Sequence, residues 1–454
     1  MNIKEINYDK LPFIPVEGTV YKGWNNIVDA INKKYNQLDN KKFILLVETY
    51  QGVYHEELIA GFNLLQPALF VDTNEVFLSE DIIRSKTYPD VTDDRIFGYM
   101  TRLSFADLLD WEKVSALRDR LEKAEGLVIV YGYAASLLVE NPDLLIYADM
   151  ARWEIQLRQR LHQVDNIGIN NRKEETASQY KRGFFVDWRI CDKQKKNLFA
   201  KADYWLDTNE KDHPKMIATA VLLAGLEKTA QMPFRVVPFF DPGPWGGQWM
   251  KEKLGLPSGQ KNYAWCFDCV PEENSLLFKV QNEIVEIPSI NLVFYKTKEL
   301  LGEAVESHFG QEFPIRFDFL DTIDGGNLSL QVHPTTQYIQ DQFGMKYTQD
   351  ESYYMLEAKD DAVVYLGLKK GISPDEMIRD LNLAQEGSIV FDTDKYINRF
   401  PAKKHDHFLI PNGTIHCSGA NGMVLEISAT PYIFTFKLWD WERLGLDGKP
   451  RPIN

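Results

Sequence analysis

Residues 328–334 read LSLQVHP. In an extended strand, side chains two apart share a face, so Gln331 and His333 present their polar heads together. Two such heads on one face of an otherwise apolar strand are either solvated or hold something in common. Working outward, the neighbouring runs are equally short: YYMLEA (353–358), AVVYLGL (362–368), HFLIP (407–411), MVLEIS (423–428) and YIFTFKLW (432–439). Pro, Gly and aromatic residues fill the gaps, a pattern that predicts an all-β sandwich or barrel. One helix interrupts it, SPDEMIRDLNLAQEG (373–387), with Pro in its first turn and Gly at its end.

Upstream the character differs. KKFILLVE (41–48), PALFVD (67–72), GLVIVYG (126–132) and DLLIYAD (143–149) read as buried strands, separated by helical patterns such as SFADLLDWEKVSALRDRLEKA (104–124). Strand and helix in alternation predict crossover units and a parallel sheet. HPKMIATAVLLAGLEKTAQ (213–231) reads as a closing helix, and the domain boundary is expected near residue 232, giving domains 1–232 and 233–454.

With 454 residues, 44% hydrophobic and 26% charged, the chain has a globular composition. A net charge of -15 argues against nucleic acid or an anionic membrane as partner, while leaving a local pocket for a phosphorylated metabolite. The four cysteines, Cys191, Cys266, Cys269 and Cys417, are expected as thiols. The opening MNIKEINYDKLPF has no apolar core of a signal peptide, and no run approaches a membrane span, so the expected location is cytoplasmic. Nothing in the sequence speaks to oligomeric state.

Gln331 and His333 acquire company downstream. Glu351 begins an apolar run in QDESYYML, and HFLIPNGTIH carries Pro411, Gly413 and His416 as P-x-G-x-x-H. One amide oxygen, two imidazoles and one carboxylate suit zinc, with iron or manganese possible on the same ligands. A lone carboxylate leaves a divalent site net positive, as a Lewis acid requires. Cys266 and Cys269 form a C-x-x-C without a second pair and read as buried thiols. His405 and His407 read as solvent-facing, and Lys181 and Arg182 as either an anion contact or surface residues.

The strand and turn at 41–58 sit where a P-loop would, but aligning the last glycine on Gly52 puts Val53 at the lysine and Tyr54 at the hydroxyl position. Glu56 and Glu57 then fall in the first helical turn, where they would repel a nucleotide phosphate. The surroundings nonetheless resemble the uridine kinase and phosphoribulokinase group, in IVYGYAASLL, DLLIYADM and the helix with Arg152, Arg158 and Arg160. Over about residues 40–210 that resemblance implies a P-loop-kinase-like α/β domain with a degenerate loop.

Residues 233–454 resemble the class I mannose-6-phosphate isomerases, zinc-dependent cupins. The matching segments are NLSLQVHP, DESYYML, HFLIPNGTIHCSG, VLEIS and FKLWDWERLGLDGKPRPI, with WGG at 245–247 and ENSLL…ELLG before them. The resemblance implies a cupin jelly roll, one zinc on Gln331, His333, Glu351 and His416, and interconversion of mannose 6-phosphate and fructose 6-phosphate. It further implies Lys437 as the cation beside the reacting carbons, Ser329 as a phosphate or hydroxyl contact, and Glu426 near the substrate as the best candidate for the base. Three departures stand out. Gln349 occupies a position that is commonly Lys, Lys437 one that is commonly Arg, and the chain stops at Asn454 where related enzymes continue. The missing P-loop, Gln349 and the early stop favour the alternative of a non-catalytic sugar-phosphate sensor that keeps the metal site, while the intact ligand set favours catalysis.

Overall fold

The strands Lys42–Thr49 and Gly126–Gly132 pair in parallel, from Lys42 opposite Gly126 to Glu48 opposite Gly132. A computed structural model of the protein, describing residues 7–37, 41–429, 433–444 and 451, builds a seven-stranded sheet around that pair. Its order is 20–22, 215–218, 204–207, 144–149, 42–49, 126–132, 69–72. The five strands from 204–207 to 69–72 run parallel, and strand 215–218 is antiparallel to both of its neighbours, 204–207 and 20–22. Central parallel strands bury both faces. Phe43, Leu45, Val47, Ile129 and Ile146 accordingly pack with Ile27 and Ile31 of helix Gly23–Tyr35 and with Leu58 and Phe62 of helix His55–Asn63.

The expected helix over 213–231 needs correction. It begins only at Thr219 and ends at Ala230. Lys215–Ala218 is a strand held between 204–207 and 20–22, with Met216 and Ile217 fully buried. Ladder pairing on both sides outweighs the modest helix propensity of four residues.

The chain divides into two units. The first comprises Pro12–Val236 and Pro271–Gln311, the second Met1–Leu11, Val237–Val270 and Glu312–Asn454. A single boundary at residue 232 is therefore too simple. The hairpin of Ser275–Val280 and Glu283–Pro288 returns to the first unit, because strand Phe13–Val16 pairs in parallel with it and Leu276, Phe278 and Val285 are buried there.

The second unit holds two antiparallel sheets. One has six strands in the order 407–410, 351–358, 422–429, 315–321, 265–269, 239–241; the other has five, 397–401, 363–368, 416–418, 330–332, 436–439. A shared apolar cluster takes Leu320, Tyr353, Met355, Val424 and Ile410 from the first sheet and Leu330, Val364, Cys417 and Trp439 from the second. Met377 and Ala384 of helix Pro374–Gln385 join it, the helix being capped by Ser373 with Pro374 at its start as expected.

Candidate metal centre and its surroundings

Short strands carry each polar residue to one place. Gln331 lies on Leu330–Val332, directly opposite His416 on His416–Ser418. Glu351 opens the strand Glu351–Ala358 of the other sheet. The turn between Ile410 and His416 needs its glycine: Gly413 has φ +75°, and a Cβ there would come within 2.9 Å of Thr335. The same turn is tied to the site, since the Gly413 N–H donates to the His333 carbonyl at 2.8 Å.

One Glu351 oxygen lies 2.6 Å from His416 Nε2, and the other 3.1 Å from His333 Nε2. Donor atoms of the three residues lie within 4.8 Å of one another, and all three side chains are buried. The far ring nitrogens are engaged by main-chain carbonyls, His416 Nδ1 with Thr414 at 2.8 Å and His333 Nδ1 with Phe434 at 3.4 Å. Such second contacts fix the tautomer. Both Nε2 atoms then face the Glu351 carboxylate, and either a proton on the ring or a shared cation balances its charge. The Gln331 amide lies 3.4 Å from His416 Nε2, and turning it over offers its oxygen to the same point. This donor set fits a divalent metal.

Burial disfavours charge on Glu351 and His416, but the attraction between them outweighs it. Glu351 is held well below the usual carboxylate range and His416 is raised.

Glu426 and Asp318 face each other across adjacent strands, both buried. The Gln349 amide links the pair to the centre, donating to Glu351 at 3.0 Å and to Glu426 at 3.3 Å. Burial, then the Glu351 charge, pushes Asp318 up to about 8; burial, then Asp318, pushes Glu426 well up. Asp318 was legible in principle: IRFDFLD places Arg316 and Asp318 two apart on one face of an apolar strand, the signature that exposed Gln331 and His333.

Lys437 sits opposite Gln331, its side chain 13% exposed, and Ser329 donates to Asp440 at 2.6 Å. The strand expected over 432–439 is shorter, Phe436–Trp439, with a register shift between Leu330 and Gln331; Tyr432 and residues 445–450 of the closing motif lie outside the described residues. His405 and His407 are exposed, and the four cysteines are free thiols, Cys269 half-buried and the rest buried. Lys181 and Arg182 are neither surface residues nor an open anion site. Both are buried, with Lys181 donating to the Thr92 carbonyl at 3.3 Å and Arg182 to Thr87 Oγ1 at 2.8 Å.

In the first unit, the turn after strand Lys42–Thr49 is occupied by the chain itself. The buried Arg158 guanidinium donates to the carbonyls of Gly52 and Thr208 at 2.8 Å and Asn209 at 3.0 Å, and stacks 3.8 Å over Tyr54. Gly52 adopts φ +95°, and a Cβ would strike Ile155 at 2.7 Å. Glu56 and Glu57 lie in the first turn of helix His55–Asn63 as expected.

A family described as a domain of unknown function (DUF8485) matches residues 23–231. The chain is similar to the mannose-6-phosphate isomerase of Streptococcus mutans, 26% identical over 212 residues, 46% of this chain and 61% of that protein. It is similar to the mannose-6-phosphate isomerase ManA of Bacillus subtilis, 24% identical over 218 residues, 48% of this chain and 64% of that protein. The crystal structure of the mannose 6-phosphate isomerase from Bacillus subtilis aligns with a TM-score of 0.39 at 21% identity, covering 48% of this chain and 64% of that one. Among the described residues no helix is long and apolar enough to cross a membrane. About half of the chain is thus related at low identity to mannose-6-phosphate isomerases, and it spans less than two thirds of their length.

Proposed function

We propose that the second unit is a cupin-type, metal-dependent aldose–ketose isomerase that interconverts mannose 6-phosphate and fructose 6-phosphate. The observation that carries this reading is the buried convergence of His333, Glu351 and His416, supported by sequence similarity to mannose-6-phosphate isomerases. In the aldose-to-ketose direction, the hydrogen on C2 passes to C1 as a proton while the C2 hydroxyl proton passes to O1. Gln331, His333, Glu351 and His416 would hold zinc, which would supply charge stabilisation for the oxygen that becomes anionic. Glu426 takes the proton from one carbon and returns it to the next. Lys437, beside Gln331, places its ammonium near the same oxygen. Ser329 contributes a hydroxyl to the substrate. A coupled isomerase assay on the purified, metal-replete protein tests this reading.

A second reading is a sugar-phosphate sensor that retains the metal site without turnover. The contacts of Gln349 favour it, since a neutral amide bridges Glu351 and Glu426 where the related enzymes commonly carry a lysine. For the first unit we propose a P-loop-kinase-like scaffold without triphosphate chemistry, supported by the parallel sheet and by Arg158 filling the turn at Gly52.

A further inference from the structure

We infer that Asp440 is a positioning residue of the second unit's site, holding Ser329 and Lys437 on either flank of Gln331. The inference rests on the isomerase reading. Asp440 follows strand Phe436–Trp439 and is 4% exposed. Its Oδ1 accepts from the Ser329 hydroxyl at 2.6 Å, and its Oδ2 lies 4.0 Å from the Lys437 ammonium. Ser329 precedes Gln331 by two residues, and Lys437 is the cross-strand neighbour of Gln331. One carboxylate therefore hydrogen-bonds Ser329 and lies at ion-pair distance from Lys437, and these two groups flank Gln331.

The same carboxylate has a structural share. Arg443 Nε donates to Oδ1 at 3.2 Å, and Arg451 Nη1 forms an ion pair with Oδ2 at 2.9 Å. Arg443 also bonds the Asn327 carbonyl, bracing the approach to the strand of Gln331. These contacts pair the buried charge, which would be strongly unfavourable alone, although Oδ2 is met by ion pairs and accepts no hydrogen bond. They do not require Ser329 or Lys437. A buried Asp with two arginines is already paired, so its grip on a serine and a lysine at the metal centre is an additional arrangement. On the isomerase reading that arrangement has a purpose: a hydroxyl and an ammonium on flexible side chains act well only when their directions are fixed.

A mutant cycle separates the two shares. On mannose 6-phosphate, Asp440→Asn is expected to lower kcat/KM at least about tenfold in the otherwise native, metal-replete protein. In a Ser329→Ala/Lys437→Met background the same change is expected to cost less than about twofold, because nothing remains for it to position. Equal losses in both backgrounds would reduce Asp440 to a structural clamp and overturn the inference while leaving the isomerase reading intact. Should Asp440→Asn fail to fold, Ser329→Ala and Lys437→Met decide. Their effects should be non-additive, although the inference links them only through Asp440, and strict additivity would overturn it. A native protein that neither turns over nor binds a hexose phosphate would remove the isomerase reading and the inference together.

Discussion

Lys437 stands directly across the strand pair from Gln331, with its ammonium 4.0 Å from the Asp440 carboxylate. Strand Phe436–Trp439 is the last in its sheet, where a lysine is ordinarily solvated, yet only 13% of this side chain is exposed. If it stabilises an enediolate, Lys437→Met lowers turnover on mannose 6-phosphate about a hundredfold or more, roughly 3 kcal/mol. Metal content should not change. Near-normal turnover would remove Lys437 from the chemistry.

The metal centre gives a second expectation. The protein should purify with about one zinc per chain, and His333→Ala or His416→Ala should lose it, each deleting one converging donor. Elemental analysis after gel filtration reads this directly. Full occupancy in both variants would mean that the ligands lie elsewhere.

Gly413 links backbone strain to that centre. Alanine at φ +75° is strained, and its Cβ would press on Thr335. Gly413→Ala should cost about 1–2 kcal/mol and lower Tm by several degrees. Because the turn bonds the His333 carbonyl, metal should also dissociate faster, which a chelator challenge measures.

The first unit should not bind magnesium–ATP. Arg158 already satisfies the Gly52 carbonyl, Val53 offers no cation, and Glu56 and Glu57 add like charge at the helix start. Isothermal titration should show no heat of binding. Micromolar affinity abolished by a change at Gly52 would contradict the assignment.

Glu286 supplies a pH dependence. Burial, then the neighbouring Asp207, raises its pKa to about 7, against partial relief from the Ser275 hydroxyl and Lys215; Glu154 adds to the rise. A carboxyl raised on folding binds more protons folded than unfolded, so stability falls as pH climbs from about 4.5 through 7. Glu286→Gln should therefore gain on the native protein at pH 8, by an amount of order 1 kcal/mol, and lose that advantage by pH 5. Denaturant titrations at the two pH values decide.

The sequence made the centre legible because its residues announce themselves locally. Gln331 and His333 alternate in sequence as on one strand face, although the strand ends at Val332, and Gly413 marks the turn that delivers His416. The contacts of Asp440 and Gln349 were harder to foresee, since they join segments far apart in the chain. Lys215–Ala218 escaped because its pairing partners, not its four residues, make it a strand. The return of residues 271–311 to the first unit escaped likewise, since nothing within the hairpin names strand Phe13–Val16 as its partner. Periodicity reports which face is apolar, and remains silent on what will cover it.

The most direct test of the isomerase account is a coupled assay of purified, zinc-loaded protein with mannose 6-phosphate, beside the same protein after chelation. The account predicts formation of fructose 6-phosphate that stops on metal removal and returns when zinc is restored. Full zinc occupancy with no product from mannose 6-phosphate would contradict it and leave the sensor reading in its place.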